Sequence, residues 1–187
     1  MRVRPALVLL LIGATVGPVL DGLHTFSGMT WYPNPQWMRS VWWCSPLFAA
    51  AALTIGLGRV HSERLFKQPG PALRWGQVLA VMGMFIGCYA ASGFLPVSET
   101  SRAVLLTVCF LVGWYVWDRT PLGIASALSC GFCGWLAEHT LVHHGFFFHH
   151  DTMLDGIALW IPPLYFLAAL AVGSLARRLH LQASTAP

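Results

Sequence analysis

Charge is what this chain has least of. Asp, Glu, Lys and Arg make up only 10% of its 187 residues, against roughly 25% in soluble domains. Hydrophobic residues make up 56%, and the mean hydropathy is +0.63. Too little polar surface is available to clothe a soluble globule, so the chain reads as an integral membrane protein. The small basic excess, a net charge of +4 and a pI near 9.0, is what topology alone produces when Arg and Lys gather on one side of a bilayer. Nucleic acid is therefore not an expected partner.

Chemistry-bearing motifs are scarce too. The sequence has no serine nucleophile elbow, no glycine loop to cradle a phosphate, no intramembrane carboxylate pair and no arginine ladder. These absences speak against hydrolysis, nucleotide use and the transport of ions or protons. Cys130 and Cys133 have redox-type spacing, but they lie in an apolar segment, where a thiol packs as a small hydrophobe. Two cysteines also fall short of a four-ligand zinc site. Cys44, Cys88 and Cys109 read as packing residues as well. No catalytic residue and no resident cofactor is expected.

Long apolar sequence, by contrast, is abundant. A helix needs about 20 residues to cross the hydrocarbon core, and six segments approach or reach that length: 6–20, 41–57, 73–95, 103–117, 122–142 and 157–176. Each must be helical, because an open sheet edge would leave backbone groups unpaired in lipid. The expected fold class is an all-α integral membrane protein, residues 1–187 forming one domain, a bundle of six transmembrane helices.

Orientation follows from the basic residues. With the N-terminus inside, Arg2, Arg4, Arg59, Arg64, Lys67, Arg74, Arg119, Arg177 and Arg178 are inside and only Arg39 and Arg102 outside, so both termini are expected in the cytosol. Asp21, Glu99, Asp151 and Asp155 then fall outside. The first segment also resembles a signal peptide, with arginines ahead of an apolar run. Its removal would leave an odd helix count and place the Arg-rich ends on opposite sides, so a retained helix is expected.

Between the spans, the loop from Asp21 to Ser40 carries Trp31, Tyr32, Pro33, Pro35 and Trp37 and is expected to lie along the outer interface. The basic stretch from Arg59 to Pro71 is either a topology signal or a headgroup contact. Small residues recur at fourfold spacing in the third segment (Gly76, Ala80, then Gly83, Gly87, Ala91) and the fifth (Gly123, Ala127, Gly131). Such stripes let backbones approach closely, so these two helices are expected at the bundle's centre. Pro162 and Pro163, early in the sixth segment, cannot donate to carbonyls one turn back, and a bend beside a cavity is expected there.

Histidines supply the sharpest rival reading. His139 and His143 are one helical turn apart, with Glu138 beside them and His144, His149, His150 and Asp151 close behind. Imidazoles at that spacing on one helix face can share a metal, as in histidine-cluster membrane enzymes that modify lipids. Those enzymes need several separated histidine boxes, whereas this is a single local run with His24 the one other outside histidine. An interfacial polar end to the fifth helix is the plainer account.

One stretch joins these threads: Gly113-Trp114-Tyr115-Val116-Trp117-Asp118-Arg119, an aromatic helix end followed by an acid-base pair in a short turn. It resembles the Gly-Leu-Trp-Trp-Thr-Phe-Asp-Arg motif of the Insig family, with one residue fewer before the first Trp. Trp42-Trp43 and Pro46 resemble that family's Trp-Trp-x-Pro-Pro, and Leu141-Val142-His143-His144-Gly145 is similar to its Leu-Val-Tyr-Asn-Gly. Trp160-Ile161-Pro162 with Gly173 and Arg177 resembles its last helix at the same spacing. The likeness runs from about Trp42 to Arg178; helix one matches poorly.

The resemblance implies a non-enzymatic membrane lipid receptor, a short bacterial-type homologue that holds a sterol or an acylglycerol such as diacylglycerol between its helices. It implies lipid-binding roles for Phe85 and Trp114, with Pro162 at the expected bend, and engagement of a membrane-protein partner through Asp118. For isolated aromatics, packing and interface anchoring are the alternatives, and for Asp118 a turn residue that pairs with Arg119 or caps helix five. A homo-oligomer, such as a trimer, is a further expected partner state. The setting is a multi-pass membrane one: the inner membrane in a bacterium, the endoplasmic reticulum in a eukaryote. Thr120-Pro121 replaces the serines of animal members, and the family's polar Gln of helix four falls near Ser101 or Arg102.

Overall fold

The computed structural model describes residues 3–185. They form six helices: α1 (Val3–Ser27), α2 (Cys44–Leu65), α3 (Trp75–Phe94), α4 (Glu99–Trp117), α5 (Pro121–His143) and α6 (Ile161–Thr185). One short antiparallel pair joins two loops, β1 (Thr30–Trp31) and β2 (Phe148–His149), with Thr30 opposite His149. Arg2, one of the expected inside residues, lies outside the described residues.

Four helices, α1, α3, α4 and α6, are long and apolar enough to cross a membrane. α2 and α5 have the length, 22 and 23 residues, but not the apolarity. In α2 the last turns carry Arg59, His61, Glu63 and Arg64; α5 is diluted by glycine, serine and histidine.

The bundle is built around α6, not around α3 and α5. Every other helix packs against α6, and 61% of its apolar window is buried against 28–33% for the other three apolar helices. Around it the order is α4, α3, α1, α2, α5; α4 and α5 pack on α6 rather than on each other. The small-residue stripes differ accordingly. In α5, Gly131 and Gly134 admit the rings of Phe166 and Tyr165 of α6, whereas a Cβ at Gly76, Gly83 or Gly87 of α3 would meet nothing within 4 Å. A stripe of small residues permits close approach but does not say which stripe is used.

Two further expectations give way. The apolar run of α1 ends before Asp21, but the helix continues to Ser27 and buries both Asp21 and His24. α6 begins at Ile161, so Pro162 and Pro163 sit in its first turn, where a missing N–H breaks no helical bond and no bend results. Residues 157–160 form the approach instead, ending in the fully buried Trp160.

Candidate functional site

Helix parity places the α2–α3 and α4–α5 connections and the end of α6 at one end of the bundle, together with the start of α1. Two Arg and two acids meet there. Arg59 Nη2 lies 2.9 Å from Asp118 Oδ2, Arg59 Nε donates to Glu63 Oε1 at 2.9 Å, and Arg177 approaches Glu63 at 3.4 Å and Asp118 at 3.7 Å. Asp118 is only 5% exposed. Its Oδ1 also accepts from the Thr120 backbone N–H at 3.2 Å and from the Thr120 hydroxyl. Thr120, not Asp118, caps α5, its hydroxyl accepting from the Gly123 N–H at 3.0 Å. Gly123 leaves room for the carboxylate: a Cβ there would lie 2.8 Å from Asp118 Cγ.

The neighbouring Arg119 turns the other way. It is exposed, has φ +57°, donates to the Tyr115 carbonyl and lies 4.5 Å from the Tyr115 ring centre. Asp118 therefore pairs with Arg59, not with Arg119. The i,i+4 spacing of Arg59 and Glu63 is a visible signal for this cluster. The partner on the α4–α5 turn is not, since 59 residues separate Arg59 from Asp118.

The opposite end buries polar groups by other means. Asp21 accepts from the Ser40 hydroxyl at 2.7 Å and from the Tyr32 hydroxyl at 3.1 Å, with Cys44 Sγ beside both. Burial, then the Asp21 carboxylate, raise the Tyr32 hydroxyl far above its ordinary pKa, so it stays a donor. Glu138 accepts from His149 and from the Tyr165 hydroxyl, each at 2.8 Å. Arg102 pairs with Asp151 at 3.0 Å and donates to the Leu95 and Val97 carbonyls. His24 bonds Ser92 at 2.8 Å and stacks on Tyr89. Sequence reasoning puts Asp21 and Arg102 in outside loops and foresees none of these contacts.

The candidate lipid residues do not share one pocket. Phe85 (α3) and Trp114 (α4) are half-buried against the main core; Phe85 meets Tyr89 edge-on at 5.9 Å, and Trp114 donates its indole N–H to the Thr120 carbonyl at 2.9 Å. Between α3 and α4, Met84 packs against Gly113. Pro162 instead lines a groove of about 530 Å³ between α5 and α6. Among the histidines, His139 bonds Asp155 at 2.8 Å and stacks on His143, while His149 is held by Glu138. His144 Nδ1 bonds the Thr140 carbonyl. Among the described residues no three His, Cys, Asp or Glu side chains come together to hold a metal, because these imidazoles are distributed over separate partners.

A helical bundle with apolar outer faces, four helices long and apolar enough to cross a bilayer, and buried charge clusters near both ends defines a class of all-helical membrane protein. The family model described as insulin-induced protein (INSIG) matches residues 4–180, and the chain belongs to that family. It is 25% identical to the insulin-induced gene 1 protein of Xenopus tropicalis, over 97% of this chain and 74% of that one, and 25% identical to the Homo sapiens protein, over 93% and 65%. Among solved structures, a mycobacterial Insig homologue, MvINS from Mycobacterium vanbaalenii, superposes with a TM-score of 0.84 at 25% identity, covering 95% of this chain and 94% of that one. A cross-linked trimer of MvINS gives 0.86 at 25% identity, covering 100% and 98%.

Proposed function

We propose that this chain is a non-enzymatic lipid-sensing membrane protein that holds a sterol or an acylglycerol between its helices. The observation that carries the reading is the agreement with Insig homologues along the whole bundle, in both sequence and fold. In this reading all six helices span the bilayer and both termini are cytosolic, which puts the Arg59–Asp118 cluster at the cytosolic end. α2 and α5 reach that state although they are less apolar, because their polar groups are paired inside the protein.

The seam between α3 and α4 suits the ligand best. Met84, an unbranched side chain that repacks readily, meets Gly113 there and would make way for a lipid, and Phe85 and Trp114, half-buried against the core, are their next neighbours along α3 and α4. Trp114 ties the seam to the turn that carries Asp118, since its indole bonds Thr120 and Thr120 bonds Asp118. Lipid in the seam would thereby bias the cytosolic turn. Asp118 acts on a protein partner through that turn, because its own carboxylate is turned inward. A homo-oligomer is the proposed assembly, as in the MvINS trimer.

Thermal unfolding in detergent tests this. A sterol or a diacylglycerol raises the melting temperature of the wild type, and Phe85→Leu and Trp114→Leu each weaken the shift. No shift with either lipid class, or a shift indifferent to both substitutions, would reject the seam.

A further inference from the structure

The ring of helices around α6 is open between α4 and α5, and the groove that contains Pro162 lies in that opening. Leu128, Phe132 and Trp135 of α5 and Phe166 of α6 form its apolar walls, and Phe110 of α4 closes on Phe166 with ring centres 5.5 Å apart. The walls are held firmly: Gly131 lets Phe166 lie against α5, and the α6 first turn is fixed by its two prolines. Along α5 the lining runs from Leu128 to Trp135, a rise of about 10 Å, about a third of a hydrocarbon core of ~30 Å. The groove therefore has room for the upper part of one acyl chain, with His139 one turn beyond it at the mouth.

Its outer mouth is polar and charged. Asp155 contributes to the lining there, with its side chain 77% exposed, and bonds His139. His139 is sandwiched between Trp135 (5.3 Å) and His143 (4.9 Å). The mouth thus sets a carboxylate beside two stacked imidazoles. A carboxylate at a lipid interface attracts an ammonium with N–H donors, and imidazole N–H groups donate to phosphate oxygens. An anionic headgroup without an amine would meet Asp155 uncompensated, and a quaternary ammonium would offer it no hydrogen bond.

We propose that the α5–α6 groove binds a phospholipid with a zwitterionic, primary-amine headgroup, its ammonium on Asp155, its phosphate toward His143, and one acyl chain along Phe132 and Phe166. This site is separate from the α3–α4 seam and depends only on the chain spanning a bilayer.

The test uses the purified full chain in detergent, exposed to equal amounts of phosphatidylethanolamine, phosphatidylcholine and phosphatidylglycerol with identical acyl chains. Retained lipid is then counted by mass spectrometry. Wild type retains the ethanolamine lipid about fivefold over the other two, the scale of one interfacial ion pair. Asp155→Asn brings the three to parity, and Leu128→Trp, which fills the groove from an exposed position, removes the retained ethanolamine lipid. Both positions are exposed, so unchanged melting temperatures confirm folding. Retention in the input ratio by wild type, or enrichment that survives either substitution, would overturn the proposal. The sterol and diacylglycerol melting shifts, read on the same variants, stay unchanged, which separates failure of this site from failure of the seam.

Discussion

The two ends of the bundle bury comparable polar groups by different means. At the end that carries Asp118, opposite charges face each other: Arg59 and Arg177 against Asp118 and Glu63. At the other end Asp21 is held by two hydroxyls, Glu138 by a hydroxyl and an imidazole, and the Arg102–Asp151 pair stands apart. Full charges in a low-dielectric site cost much to strand and gain little net when paired, whereas a neutral donor can be removed at the cost of one hydrogen bond. The Asp118 end should therefore respond to single changes nearly all-or-none, and the opposite end by degrees.

Removing one member of each cluster breaks or sharpens the contrast. Arg59→Met leaves Asp118 with the more distant Arg177 as its one counter-charge and should cost about 3–5 kcal/mol; Arg59→Met with Asp118→Leu should recover most of that loss. Equal losses in the single and double variants, measured as unfolding free energy in detergent, would mean that the cluster is not charge-coupled. Tyr32→Phe removes one of the Asp21 donors while Ser40 remains, for a loss of about 1–3 kcal/mol in the same measurement. A loss as large as that of Arg59→Met would erase the difference between the ends. His139→Ala should change stability least, by under about 1 kcal/mol, because its partner Asp155 is largely exposed.

Legibility in the sequence divides along similar lines. Apolar length reveals all six helices, and the family motifs reveal the family, because both signals are local or ordered along the chain. Contacts between distant residues are out of reach. A carboxylate ends a hydropathy window, so α1 reads as stopping at Asp21, yet Tyr32 and Ser40 return from the next loop to satisfy it. Pro162 and Pro163 read as lying inside a helix because residues 157–160 are as apolar as the first turns of α6, though the helix starts only at Ile161. Nor does the sequence mark α6 as the centre, because its burial rests on Leu and Ala facing five neighbours rather than on a glycine stripe. Of the candidate site, Trp114 and Asp118 are linked through Thr120, a relay that no spacing rule contains.

Lipid analysis of the purified chain, in wild type and in Met84→Trp, tests the central claim most directly, because the larger side chain occupies the α3–α4 seam permanently. Lipid binding in that seam predicts a near-stoichiometric sterol or acylglycerol on the wild type and its loss from a still-folded Met84→Trp. Wild type carrying neither lipid class, or Met84→Trp carrying as much as wild type, would contradict it.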